Sequence, residues 1–288
     1  MIDNSPLISC ETLQSIKDSS NVRVVDCRFS LDDPEAGRSQ YLDGHLPNAV
    51  FADLDKDLSA PVTAQSGRHP LPEPDEFAHT LGRMGIGNDT HVVVYDQANG
   101  ALAARLWWLL RWVGHSNASL LDGGISRWQA LGLPVEQGRH EVAAASFAAR
   151  PNEELVLRTE AILAAQPDAG ALRLVDVRES QRFSGEFEPI DPVAGHIPGA
   201  VNLPFADCGR EDGSWKDADE LLALLQDTLA GATDEPWSVM CGSGVTACHL
   251  VVSALLAGVR EPRVYVGSWS EWIRDPHRPV GRTGTAGP

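Results

Sequence analysis

The sequence predicts two tandem α/β domains, each a parallel β-sheet flanked by helices. Three observations lead there. The chain has 288 residues, about twice the ~150 of a typical domain. One ordered set of landmarks occurs twice, about 150 residues apart, which is two copies of a domain and not the short period of a solenoid. Within each copy, short apolar runs alternate with helix-like stretches, the pattern of parallel strands covered on both faces.

The elements justify themselves in order. Residues 22–28 read Val-Arg-Val-Val-Asp-Cys-Arg and residues 172–178 read Leu-Arg-Leu-Val-Asp-Val-Arg, two short buried strands with Asp26 and Asp176 in register. Next come the turns Gly44-His45-Leu46-Pro47 and Gly195-His196-Ile197-Pro198, each leading into another apolar segment. Residues 91–95 form a β-branched run, followed by Asp96 and a helix-like stretch over 101–113 that stops at Gly114. The second copy gives a strand over 237–240, Cys241 in the turn, and a helix over 246–257 that stops at Gly258. Residues 120–128 then align with 264–272, so that Trp128 and Trp272 are aromatic anchors in equivalent places. Residues 136–154, with Gly138, Pro151 and an Ala-rich middle, have no apolar period. The expected division is an N-terminal domain over 1–140 carrying Asp96 where the other copy has a cysteine, a linker over 141–155, and a C-terminal domain over 156–288.

Composition narrows the function. With 43% hydrophobic and 22% charged residues, the chain can bury cores and is not a disordered or fibrous type. A net charge of −17 repels phosphate backbones and anionic lipid, so neither nucleic acid nor membrane is expected as a partner. Residues 1–10 lack a basic region followed by an apolar core, and no apolar run approaches ~18 residues, so a cytoplasmic protein is the expectation. Five cysteines, Cys10, Cys27, Cys208, Cys241 and Cys248, are an odd number at irregular spacing, which suits reduced thiols. Cys241, Cys248 and His249 lack the paired spacing of a metal site, and none is expected.

The most informative stretch is Cys241-Gly242-Ser243-Gly244-Val245-Thr246. It puts a cysteine between a strand and the helix it feeds. Unpaired N–H groups and the helix dipole stabilise a thiolate there, and the two glycines let several N–H groups converge on one sulfur. A buried structural cysteine is the commoner use of an apolar-flanked Cys, and Cys27 and Cys248 keep that reading. A cysteine phosphatase needs an arginine six residues after the Cys. Position 247 is alanine. In the first copy Asp96 cannot be a thiol nucleophile, so only the second copy is expected to be catalytic.

With these motifs, the two Gly-His-(Leu/Ile)-Pro turns and Gly267-Ser268-Trp269-Ser270-Glu271-Trp272, nearly the whole chain resembles the tandem-domain rhodanese family of sulfurtransferases. The similarity is greatest to the members that take 3-mercaptopyruvate as donor. Members that prefer thiosulfate carry basic residues directly after the cysteine, where this chain has Gly242 and Ser243. The resemblance implies Cys241 as nucleophile and Ser243, His69 and Asp55 as a proton relay, the last two from His69-Pro70-Leu71-Pro72 and Asp53-Leu54-Asp55, which would put the active site between the domains. It implies Arg182 as a substrate-binding guanidinium and Gly242, Gly244, Val245 and Thr246 as the cradle of the transferred sulfur. The family's second arginine, in Glu-Pro-Arg, is replaced in Glu188-Pro189-Ile190. Arg178 occupies a common family position but lies two residues after a strand aspartate, where a structural role is as ready a reading.

The implied reaction needs no cofactor. Sulfur passes from 3-mercaptopyruvate to Cys241 and on to cyanide or a thiol acceptor such as a small thiol or a thioredoxin-like protein, with pyruvate released. Two other readings stay open: a thiosulfate sulfurtransferase, suggested by Ile190, and a non-enzymatic persulfide carrier fed by a partner protein. An inactive module is disfavoured by the intact loop around Cys241.

Overall fold

Two five-stranded, all-parallel sheets with the same strand order make up the computed structural model, which describes residues 5–165 and 172–283. The first sheet comprises β1 (Leu7–Ile8), β2 (Val22–Asp26), β3 (Val50–Phe51), β4 (His91–Tyr95) and β5 (Ala118–Leu121), ordered β1-β5-β4-β2-β3. The second comprises β6 (Val156–Leu157), β7 (Leu174–Asp176), β8 (Val201–Asn202), β9 (Ser238–Met240) and β10 (Arg263–Tyr265), ordered β6-β10-β9-β7-β8. All five residues of β4 are buried, which is why its centre, Val92-Val93-Val94, is apolar without alternation. The predicted helices over 101–113 and 246–257 are Ala103–Trp112 and Ala247–Leu256, a residue or two shorter at each end. Trp128 and Trp272 are both fully buried, each in the core cluster of its own sheet.

The chain divides into two compact units. The first holds residues 1–60, 72–153 and 209–215, the second residues 61–71, 154–208 and 216–288. No composition signal marks the segments 61–71 and 209–215 as belonging with the other half of the chain. The Ala-rich stretch runs without regular structure along the first unit, where Ala145 N–H donates to Gly82 O at 2.9 Å and Arg150 N–H to Val113 O at 2.9 Å. Residues 1–4, the start of the stretch read for a leader, lie outside the described residues. Among the described residues, no helix is long and apolar enough to cross a membrane.

The repeated Asp-x-Arg and Gly-His-x-Pro motifs prove to be one device. At the end of β2, Arg28 donates Nε and Nη2 to the buried Asp26 carboxylate and Nη2 again to Gly44 O at 2.7 Å. At the end of β7, Arg178 does the same to Asp176 and to Gly195 O at 2.6 Å. The histidine of each turn then folds back: His45 stacks on Tyr41 with Nδ1 2.7 Å from Tyr41 O, and His196 stacks on Phe183 with Nδ1 2.9 Å from Phe183 O. A buried carboxylate needs its cation, and removing one partner of such a pair costs about 3–5 kcal/mol because the other is left uncompensated. Arg28→Ala, which strands Asp26 beside the Tyr95 hydroxyl, is therefore expected to lower stability by about that amount. Urea unfolding of the variant measures it.

Candidate active site

β9 ends at Met240 and the helix Ala247–Leu256 starts six residues after Cys241. Between them the chain must turn sharply, and Gly244 does it at φ +78°, where a Cβ would lie 2.4 Å from Val266 O. No other residue fits there. The turn brings Gly244 N–H to 3.1 Å from Cys241 Sγ, one backbone hydrogen bond to the sulfur where the sequence leads to an expectation of several. Cys241 is buried, as are Val245 and Ser243, while Thr246 caps the helix with its backbone only.

A second segment locks this loop in place. After β10, Trp269 N–H donates to Cys241 O at 3.0 Å and Ser270 N–H to Gly242 O at 2.8 Å. Ser268 Oγ accepts from Cys241 N–H at 3.1 Å and donates to Tyr265 O at 2.8 Å. Ser270 Oγ also accepts from Arg68 N–H at 3.0 Å, which seats the segment 61–71 of the same unit on the same turn. The next residue, His69, then sits with Nδ1 2.8 Å from Ser243 Oγ, both side chains nearly inaccessible to solvent.

Arg182 approaches from the helix Ser180–Ser184. Its Nε donates to both Glu188 oxygens at 2.8 and 2.9 Å, and Nη2 to Asp191 Oδ2 at 3.2 Å. Burial alone would lower its pKa, but the hydrogen bonds and charges of Glu188, with Glu179 and Asp191, raise it. Its Nη atoms lie 3.4 and 3.9 Å from where a Cβ on Gly242 would be. A second guanidinium, Arg68, lies closer still: its Nη2 is 2.8 Å from that point, and its Nη1 pairs with Asp191. Ile190 is 44% exposed and contributes a backbone N–H to Glu188, not a charge.

Thus Cys241, Gly242, Ser243, Gly244, Val245, Thr246, His69 and Arg182 belong to one compact unit. Asp55 belongs to the other unit; its N–H donates to Asp53 Oδ1 at 3.0 Å, and burial together with the Asp53 charge raises its carboxyl pKa. Arg178, committed to Asp176, to Glu188 and to the face of Trp269 at 4.6 Å, is a structural cation. All five cysteines are free and buried. Burial pushes Cys10 and Cys208 up to about 11 and Cys27 well above its ordinary value, so none of these three is a thiolate near neutrality. Cys248 Sγ contacts Gly244 O at 3.4 Å inside the helix.

The rhodanese-like domain family model matches residues 9–131 and again 159–275. The chain belongs to the rhodanese-like domain family. A Pseudomonas aeruginosa protein provisionally named a 3-mercaptopyruvate sulfurtransferase is 44% identical over 97% of this chain and 99% of its own length. A Mycobacterium tuberculosis protein provisionally named a thiosulfate sulfurtransferase is 40% identical over 97% of each. The crystal structure of SseA from Escherichia coli, described as a 3-mercaptopyruvate sulfotransferase, superposes with a TM-score of 0.82 at 33% identity, covering 92% of this chain and 99% of that one.

The two rhodanese-like domains share the loop and its lock but differ in what fills it. In the N-terminal domain Ile125 N–H donates to Asp96 O and Ser126 N–H to Gln97 O, repeating the contacts of Trp269 and Ser270. There the Asp96 carboxylate accepts four backbone N–H groups, from Ala98, Gly100, Leu102 and Ala103, at 2.8 to 3.1 Å. Burial nevertheless keeps the carboxyl pKa above its ordinary value, the N–H groups only opposing that rise. The loop is filled by its own side chain. Two features escaped the sequence reading: the locking role of residues 268–270, quoted only as a family signature, and Arg68, which directly precedes the one residue singled out in its segment. Asp96→Ala leaves four inward N–H groups without their acceptor and is expected to cost about 3 kcal/mol or more, read as a lowered unfolding midpoint.

Proposed function

We propose that the protein is a 3-mercaptopyruvate sulfurtransferase working through a persulfide on Cys241. The Cys241 thiolate attacks the donor sulfur, the carbon–sulfur bond breaks, and its electron pair goes to the pyruvate enolate, which takes up a proton. Cys241 then carries Cys–S–SH and pyruvate leaves. A thiol or cyanide attacks the outer sulfur in the second step, and Cys241 departs as a thiolate again. The Gly244 N–H and the helix start stabilise that thiolate and the anionic persulfide.

The single observation that carries this donor assignment is the 2.8 Å contact between His69 Nδ1 and Ser243 Oγ two residues from the nucleophile. An enolate needs a proton as it leaves, and a hydroxyl backed by imidazole can deliver one. Sulfite, the leaving group of thiosulfate, needs none. The full-length relative and the superposed structure bearing the 3-mercaptopyruvate name agree with that choice. Asp55 as the relay's acid rests on the family resemblance. Arg182 supplies a guanidinium for the donor's carboxylate, and the acceptor we assign is a small thiol or a thioredoxin-like protein. Five free thiols fit a reducing compartment such as the cytoplasm. Thiosulfate is the second donor to test, favoured by Ile190 in place of an arginine and by the M. tuberculosis relative.

Mass measurement after brief exposure to 3-mercaptopyruvate should find one added sulfur on the wild type, none on Cys241→Ser, and stoichiometric pyruvate. Ser243→Ala and His69→Gln should each slow pyruvate release by about 10²- to 10⁴-fold while leaving sulfur loading from thiosulfate nearly unchanged, and Asp55→Asn should give a smaller loss. Equal losses with both donors would remove the relay from the mechanism. Faster loading from thiosulfate than from 3-mercaptopyruvate in the wild type would reverse the donor assignment.

A further inference from the structure

We infer that Arg68 is the second substrate guanidinium, closing with Arg182 a clamp for the carboxylate of a 2-keto-acid donor. The inference rests on the donor assigned above. Ile190 leaves the loop with a single cation from the segment that follows β7, yet the unit does not lack a second one. Arg68 Nη1 pairs with Asp191, the residue next to Ile190, and Asp191 holds Arg182 Nη2 with its other oxygen. One buried carboxylate therefore tethers both guanidinium groups side by side.

The tether uses only part of Arg68. Its Nε is buried and makes no hydrogen bond, and among the described residues Nη2 makes none either. Nε and Nη2 form the edge that presents two parallel N–H groups to a carboxylate. Arg28 and Arg178 use the same edge on Asp26 and Asp176. In Arg68 that edge is unclaimed, and Nη2 points at Gly242, directly after the nucleophile. An unpaired buried donor is costly, and a donor carboxylate seated over Gly242 would satisfy it. Position is fixed from both sides, because the Arg68 N–H is held by Ser270 Oγ and the following residue contacts Ser243. The carboxylate clamp is thereby registered to the proton relay. Gly242 fits the same picture, since any side chain there would meet both guanidinium groups.

Steady-state pyruvate release by wild type, Arg68→Gln and Arg68→Lys tests this. Arg68→Gln should raise KM for 3-mercaptopyruvate about 10- to 100-fold with kcat changed far less, and Arg68→Lys should fall between, since it keeps the charge and loses the fork. Loading of Cys241 from inorganic polysulfide, an anion with no carboxylate, should fall far less in both than turnover with 3-mercaptopyruvate. An unchanged KM in Arg68→Gln with an active wild type overturns the clamp and leaves the donor assignment intact. Parallel losses with 3-mercaptopyruvate and polysulfide would make Arg68 structural and also overturn it. If Arg68→Gln does not fold, the KM of Arg68→Lys decides alone. No pyruvate from the wild type would sink the donor assignment, and the clamp with it.

Discussion

Backbone N–H groups turned inward at a strand-to-helix junction must find an acceptor, and the chemistry of this chain depends on which acceptor each domain supplies. The N-terminal domain supplies a carboxylate. Asp96 reaches back into its own loop and takes four N–H groups at once. The C-terminal domain supplies a sulfur, with Gly244 N–H on Cys241 Sγ. A thiolate can give up its place as acceptor to an outer sulfur one bond further on and take it back later. A carboxylate cannot. One fold thus closes its loop on a carboxylate in one copy and on a sulfur in the other, with the same lock from the following turn in both.

Holding such a loop still requires rigid surroundings, and these are built from buried charge. The Asp26–Arg28 and Asp176–Arg178 pairs lie at equivalent strand ends, each fastening a Gly-His turn through a glycine carbonyl. In the C-terminal copy the network extends further: Glu188 accepts from Arg178 and Arg182 and from the N–H groups of Ile190 and Asp191. Burial raises the Glu188 carboxyl pKa, and its bonds to Arg182 and to those N–H groups outweigh the effect, so it stays below the ordinary range. Asp191 is held by arginines as well, yet burial dominates and its pKa rises.

Local pattern in the sequence determined much of this. A run such as Val92-Val93-Val94, apolar without alternation, has few outcomes besides a buried parallel strand, and a cysteine followed by Gly-x-Gly before a helical period has few besides a tight strand-to-helix turn. The repeat then doubled every inference. What could not be read was contact between distant segments with no period of their own. Residues 61–71 are a Pro- and Gly-bearing loop, and nothing in their composition places them against Ser270 and Ser243. His69 was found only through family resemblance. Arg68 had no motif at all, and the one clue was negative: a missing arginine at position 190 in a site that must still bind an anion.

That clue has a wider physical sense. A chain with a net charge of −17 offers an anionic donor no long-range attraction, so capture cannot come from the overall field. It must come from cations held at the loop, desolvated enough to act at short range and balanced enough to be buried at all. Arg182 meets the second condition through Glu188 and Asp191. Arg68 meets it through Asp191 alone, which leaves its carboxylate-binding edge uncommitted. On the clamp inferred above, an anion must reach the guanidinium pair and the sulfur together, so selectivity for a small keto acid would come from geometry and not from net charge.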